Sequence, residues 1–332
     1  MRRLARDHSQ RIRQAVQIAF FLLNVWIGIQ FYFFVRYYET NGATCPASRP
    51  SGIDGWLPIA SLMNLKYLLQ TGEIPRIHAA GMFLLLAFLL ISVAMRKSFC
   101  SWLCPVGTLS EWLWKLGRET FRRNWTFPRW LDLPLRGIKY LLLALFLYAV
   151  GSMSSDAIRA FLEGPYGVVA DVKLLNFFRY LSLTAAVTLG VLLIGSLFVR
   201  NLWCRYLCPY GALLGLFALA SPVRIRRNPA ACIDCAKCAQ ACPSTLPVDT
   251  LVQIRSAECT VCMTCVSVCP AEDALDLRAG RRRLSPAMVA GVIGMIFFSL
   301  YGYAELSGHW DAKLPQGLYL ELIPRASEFA HP

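Results

Sequence analysis

Twelve of the thirteen cysteines fall into four short groups of repeated spacing. Cys232, Cys235, Cys238 and Cys242 lie in "CIDCAKCAQACP", and Cys259, Cys262, Cys265 and Cys269 lie in "CTVCMTCVSVCP". Each run reads C-x2-C-x2-C-x3-C-P. Thiolates at that spacing hold cubane iron–sulfur clusters: two short loops wrap three sulfurs around one corner, and the fourth is carried away by a further turn to the neighbouring cluster. The expected ligand sets are Cys232, Cys235, Cys238 and Cys269 for one [4Fe–4S] cluster, and Cys259, Cys262, Cys265 and Cys242 for the other. Pro243 and Pro270 stop helix from continuing and turn each fourth thiol aside. A pair of zinc knuckles is the competing use of C-x2-C, and two identical four-part runs count against it. Two cubanes close together imply electrons passed one at a time.

The other four thiols stand in "KSFCSWLCPVGTLS" (Lys97–Ser110) and "RNLWCRYLCPYGAL" (Arg200–Leu213). An offset of 104 maps Arg96 to Arg200, Cys100 to Cys204, Cys104 to Cys208, Pro105 to Pro209 and Gly107 to Gly211, and puts Tyr206 where Trp102 stands. If the segment is helical, each Cys-x3-Cys pair shares one helix face. Three uses compete for Cys100, Cys104, Cys204 and Cys208. They are redox thiols or metal ligands that extend an electron route; or a site binding copper or zinc during assembly of a partner; or small residues at a tight turn. A disulfide four residues apart would be strained unless the helix breaks.

These motifs need a scaffold, and the composition says which kind. The chain is 56% hydrophobic with only 16% charged residues and a mean hydropathy of +0.45, too apolar for an ordinary soluble domain. Apolar runs at about Ala15–Tyr37, Ala79–Met95, Gly137–Met153, Tyr180–Val199 and Met288–Tyr303 approach the roughly 20 residues a membrane helix needs. In lipid such a run must pair its own backbone, so helix is expected. The first run ends in aromatics and Arg36 with no small-residue cleavage site after it, which reads as an anchor rather than a signal peptide. Of the 34 Lys and Arg residues, 25 lie in segments 1–14, 96–139 and 200–283 and 9 in the intervening ones. That asymmetry places the N-terminus and the cysteine runs in the cytoplasm and the C-terminus in the periplasm. It also accounts for the net charge of +14 without nucleic acid. On the reducing side, disulfides among the runs are disfavoured.

The expected fold is a polytopic α-helical membrane protein of about five transmembrane helices, with an inserted α+β bacterial ferredoxin-like domain carrying two [4Fe–4S] clusters. Its segments are 1–14 (basic, cytoplasmic), 15–95 (a two-helix repeat with the outer loop 38–78), 96–136 (the first Cys-x3-Cys-Pro loop), 137–224 (the second two-helix repeat), 225–280 (the two-cluster domain) and 286–332 (the last helix and outer tail). Parallel repeats related by an axis along the membrane normal would bring the four Cys-x3-Cys-Pro thiols together near that axis.

Cys-x3-Cys-Pro after a span, stated twice and followed by two ferredoxin runs, resembles the membrane polyferredoxins of the NapH/NosR type over roughly residues 79–280. Those inner-membrane proteins accompany periplasmic nitrate reductase, nitrous oxide reductase and methylamine dehydrogenase. The resemblance implies ligation of two clusters by the eight cysteines, a redox or metal role for Cys100, Cys104, Cys204 and Cys208, and a periplasmic or membrane oxidoreductase or its maturation system as partner. It implies electron transfer with quinone or cytoplasmic donors, or support of the partner's maturation. Only 14 residues precede the first run, so the flavin-binding domain that the nitrous-oxide branch carries ahead of its spans is not expected.

Smaller signals are weak. Cys45 is the lone thiol of the outer segments and reads as a loop cysteine. His78 and His309 fall near the outer interface, and no histidine lies within a span, which excludes a membrane-embedded bis-histidine haem. Gln17 and Asn24, seven residues apart, share a face of the first helix and suit interhelical hydrogen bonds. Glu305 follows the last span and suits a solvated position more than a quinol proton acceptor. No P-loop motif points to ATP-driven work.

Overall fold

The computed structural model describes residues 9–312 and 314–331; residues 1–8 of the basic N-terminal segment, Lys313 and Pro332 lie outside the described residues. The chain order is α1 (Ser9–Glu39), α2 (Pro58–Thr71), α3 (Ala79–Met95), α4 (Pro105–Phe121), α5 (Arg129–Ser152), α6 (Ser155–Glu163), α7 (Ala170–Arg179), α8 (Leu183–Phe198), α9 (Pro209–Phe217), β1 (Val223–Arg227), α10 (Lys237–Ala241), α11 (Thr264–Ser267), β2 (Leu275–Ala279), β3 (Arg282–Arg283), α12 (Pro286–Leu306) and α13 (Gln316–Leu322).

Among the described residues, four helices are long and apolar enough to cross a membrane: Gln10–Glu39, Ala79–Trp102, Trp130–Ser152 and Pro286–Leu306. The run expected at Tyr180–Val199 differs. It starts at a break, and α7 and α8 meet there at 79°. Tyr180 leaves the helical region with φ −120° and ψ 59°, and Ser182 Oγ accepts from the Ala185 N–H at 3.2 Å, which caps a new helix. The sixteen residues of α8 rise about 24 Å, short of the roughly 30 Å hydrocarbon core. The described residues therefore hold four such helices, or five if the bent pair is one span.

The chain clusters into two compact units. One comprises residues 1–22, 88–143 and 190–297, and the other residues 23–87, 144–189 and 298–332. The first carries all the repeated cysteines. Its sheet is antiparallel in the order β1-β2-β3, with Ile225 opposite Leu277 and Val223 opposite Ala279. Val223, Ile225, Leu275 and Leu277 are buried on one face, the period of two expected of a half-covered strand. Both cysteine runs lie between β1 and β2 in the chain. Arg13 of α1 grips Glu111 of α4 with both terminal nitrogens at 2.6 Å, and Gln17 donates to the same carboxylate at 3.1 Å. The helix-to-helix role expected of Gln17 is thus met by a charged partner. Gly117 of α4 is packed so closely that an added Cβ would lie 1.9 Å from the Leu197 carbonyl oxygen.

The second unit has an aromatic and aliphatic core that includes Phe31, Phe34, Val35, Tyr38, Ile158, Leu162, Val172, Tyr319 and Leu322. Asn24 here accepts from the Trp56 indole at 3.1 Å. Beside the core lies a buried charge network. Arg49 pairs with Asp54 and, at 2.7 Å, with Asp171. His78 Nδ1 is 2.8 Å from Asp54 and its Nε2 is 2.9 Å from the Gly167 carbonyl. Asp54 and the Gly167 carbonyl only accept, which favours a ring protonated at both nitrogens, while Arg49 Nη2 also lies 3.3 Å from Nδ1. Two cations thus face two carboxylates. Burial works against the Asp54 charge, but Arg49 and His78 hold its carboxyl down at about 2. Burial likewise opposes the imidazolium, and Asp54 and Asp171 outweigh it and raise His78.

Two outcomes follow from this packing. Gly117→Ala should lower the thermal midpoint of the detergent-solubilised protein by forcing α4 from Leu197, at a cost of about 1–3 kcal/mol, whereas Gly28→Ala, with nothing within 4 Å, should not. The network makes the second unit pH-dependent. The His78 contribution is complete below its unfolded pKa of about 6.5 and is lost as pH rises through the raised folded value; the Asp54 contribution is complete above about 4 and is lost only as pH falls through about 2. Unfolding midpoints against pH should therefore fall on the alkaline side, and that slope should disappear in His78→Gln. Asp54→Asn, which leaves two buried cations facing one carboxylate, should cost about 3–5 kcal/mol.

Candidate metal centre

The two long cysteine runs fold alike. In the first, Asp234 and Ala236 have φ of 50° and 54°; in the second, the matching Val261 and Met263 have 52° and 56°. Left-handed backbone is costly for a β-branched residue such as Val261, and its recurrence at matched positions marks a conformation both loops require. Alternating right- and left-handed residues turn successive N–H groups inward into a nest for an anionic centre. One-turn helices α10 and α11 follow at matched positions. The fourth thiol of the first run, Cys242, then takes an extended conformation, φ −67° and ψ 119°, and accepts from the Leu246 N–H at 3.5 Å.

The sulfurs group across the runs. Cys242 has Cys262 and Cys259 as electrostatic neighbours, and Cys265 has Cys262, Cys242 and Cys259. Cys238 has Cys269 as an electrostatic neighbour, and Arg227 has Cys232 and Cys238. Cys235, on the same loop, is exposed. Burial pushes the Cys242 thiol up to about 12; burial, with the neighbouring thiols, raises Cys265 well above its ordinary value. Without a cation Cys242 and Cys265 keep their protons, and metal coordination is what makes thiolates stable at such buried positions. Among the described residues no three cysteine sulfurs lie within 4.8 Å of one another, whereas four thiolates on one zinc stand about 3.8 Å apart. The donor sets are opened wider than one tetrahedral ion fills, and they fit all-thiolate iron–sulfur clusters.

Basic side chains hold these loops. Arg96 and Lys97 sit at the end of the expected second span, where the sequence suggests an interfacial marker, yet both are buried. Arg96 hydrogen-bonds the Ser256 carbonyl and has Cys259 as an electrostatic neighbour. The Trp102 indole donates to the Val261 carbonyl at 3.1 Å, Ser101 to Thr260 at 2.6 Å, and Gln10 to Cys262 at 2.9 Å. The first run is held by Arg200 on the Gln240 carbonyl at 2.7 Å and by Arg136 on the Thr245 hydroxyl at 3.1 Å. Glu258, the residue before Cys259, lies 2.6 Å from Lys139 and 3.6 Å from Lys97. Burial opposes its charge, but the two ammonium groups hold its carboxyl below the ordinary range. Hydropathy and spacing do not reveal Lys97, Lys139 or Glu258 as a set; only the nearness of Lys97 to Cys100 in the chain hints at it.

The Cys-x3-Cys-Pro copies also match each other, although not as an unbroken helix. A helical turn at Phe99–Trp102 and another at Trp203–Leu207 each end at the second cysteine. Cys104 is extended at φ −63° and ψ 119°, and Cys208 at φ −74° and ψ 105°, because proline disfavours the α region for the residue before it. The Cys104 N–H reaches the Phe99 carbonyl at 2.9 Å and the Cys208 N–H the Trp203 carbonyl at 3.0 Å. Each pair therefore straddles a helix break instead of sharing a helix face. Cys45 is exposed, and His78 is committed to the charge network of the second unit.

Comparison with known proteins agrees with this geometry. A 4Fe-4S binding domain model matches twice, at residues 77–128 and 181–228, one match over each Cys-x3-Cys-Pro copy. A 4Fe-4S dicluster domain model matches residues 224–275. The putative electron transport protein YccM of Escherichia coli is 51% identical over 326 residues, 96% of this chain and 91% of that protein. The regulatory protein NosR of Pseudomonas aeruginosa is 32% identical over 48% of this chain and 22% of its own length. The ferredoxin-type protein NapH of Escherichia coli is 26% identical over 55% of this chain and 59% of its own. No solved structure matches the chain. With the dicluster match over both long runs and a relative alike across nearly its whole length, the chain belongs to the electron-transport iron–sulfur proteins of the membrane, the polyferredoxins of the NapH/NosR type.

Proposed function

We propose that this protein carries electrons singly through two [4Fe–4S] clusters, one on Cys232, Cys235, Cys238 and Cys269 and the other on Cys259, Cys262, Cys265 and Cys242, within a ferredoxin-like α+β segment. The observation that carries this reading is the crossing of the fourth thiols: Cys242 lies among the sulfurs of the second run, and Cys269 beside Cys238 of the first. A zinc-knuckle pair would keep its four sulfurs within one run. The bound clusters supply one-electron chemistry. The chain's own residues hold the loops, turn N–H groups toward the sulfurs and balance their charge, which are the means by which a protein sets a cluster's potential.

The charge asymmetry supports a bacterial inner-membrane protein with the N-terminus and the cluster segment in the cytoplasm and the C-terminus in the periplasm. The likeness to the regulatory protein NosR and the ferredoxin-type protein NapH supports a periplasmic or membrane oxidoreductase as partner, with quinone or a cytoplasmic carrier as the other terminus. The rival reading, an assembly factor that reduces or delivers a metal such as copper to a respiratory oxidoreductase, draws on the Cys-x3-Cys-Pro thiols.

Reduction by a quinol analogue or dithionite should bleach the visible cluster absorbance and give a reduced-cluster EPR signal. Cys265→Ser should remove one ferredoxin cluster and its share of iron, and leave the other EPR-active. A protein purified with zinc and no reduced-cluster signal would defeat the reading. Copper bound at one ion per chain, with clusters that quinol cannot reduce, would favour the assembly role.

A further inference from the structure

The two Cys-x3-Cys-Pro copies converge. Cys204 has Cys208, Cys104 and Cys100 as electrostatic neighbours, Cys100 has Cys104 and Cys208, and Cys104 has Cys208. All four are unpaired thiols and half-buried. Cys100 and Cys204, with Lys97, Glu258 and Cys262, line one cavity, which thus reaches from the first thiol of each copy to a ligand of the second ferredoxin cluster.

The surroundings suit an anionic sulfur centre. Cys104 caps the seventeen-residue α4 and accepts the Gly107 N–H at 3.5 Å; Cys208 caps the nine-residue α9 and accepts the Gly211 N–H at 3.3 Å. Both helix N-termini, with their partial positive charge, thus face the same group of sulfurs. Lys97 adds a full charge, with Cys100, Cys208 and Cys204 among its electrostatic neighbours. Gly107 is required for this approach, since a Cβ there would lie 2.2 Å from the Cys100 carbonyl oxygen. As in the ferredoxin runs, no three of these sulfurs close to within 4.8 Å among the described residues, a spread wider than four thiolates on one tetrahedral zinc.

We propose that Cys100, Cys104, Cys204 and Cys208 together hold a third [4Fe–4S] cluster, two thiolates from each copy of the repeat. The proposal deepens the electron-carrying reading and rests on it. Lys97 and Glu258 lie between this centre and the second ferredoxin cluster, so an electron leaving one reduces the other by one unit, with no bond made or broken. The 4Fe-4S binding domain matches, one over each copy, fit one shared site made of two halves.

Iron and acid-labile sulfide per chain, with EPR of the anaerobically purified full-length protein, test it. The wild type should hold about twelve irons, and Cys104→Ser/Cys208→Ser about eight, with the ferredoxin-pair EPR signal intact. About eight irons in the wild type would overturn the third cluster and leave the two-cluster reading standing, and this readout needs no variant to fold. Loss of one copper or zinc per chain in the double variant, with iron unchanged, would overturn it in favour of a mononuclear site. A wild type without iron would overturn both readings together.

Discussion

A proline placed directly behind a cysteine denies that cysteine the α region, and the sulfur chemistry of this chain depends on that restriction. Cys104, Cys208 and Cys242 all precede proline and all take extended backbone, with φ of −63°, −74° and −67°. Each stops the helical turn before it and leaves its sulfur at a corner rather than along a helix side. At Cys104 and Cys208 the same proline opens the next helix, where its missing N–H costs nothing. The sulfur thus becomes the cap and receives that helix's free N–H. One steric rule ends a helix, starts another and aims a thiol between them.

Sulfur donors in a poorly solvated setting carry an electrostatic problem, and the chain answers it with buried cations and backbone N–H groups. Arg96 and Lys97 are drawn out of solvent to reach Cys259, Glu258 and the Cys-x3-Cys-Pro thiols. A buried ammonium is unfavourable unless paired; Glu258 pairs with both Lys97 and Lys139 and fixes their geometry. Lys and Arg next to an apolar span therefore do more here than mark its end: Arg96 and Arg200 anchor the cysteine loops through carbonyls that carry no sequence signature of their own.

The second unit solves a similar problem without sulfur. Arg49, His78, Asp54 and Asp171 form a closed set of two cations and two carboxylates, each charge facing its opposite at hydrogen-bond distance. These residues come from three separate stretches of the chain, so their pairing locks those stretches together more specifically than the surrounding aliphatic contacts.

Spacing alone determined a good part of this protein. Thiols three apart with a proline after the fourth encode loops that wrap a cubane, and the offset of 104 encodes a duplicated half-site, because ligand geometry and proline sterics act over a few residues. Apolar length marked most of the spanning helices, since backbone pairing in lipid leaves little choice. What the sequence could not fix was anything set by long-range packing. The break at Tyr180–Ser182 falls where the expected apolar run begins; hydropathy marks that boundary but not the 79° turn between the helices on either side of it. The identity of Lys97, Lys139 and Glu258 as one charge set, and of Arg49, His78, Asp54 and Asp171 as another, arises only when distant segments meet. Burial then turns ordinary surface charges into paired interior ones, a change of dielectric environment that no local pattern records.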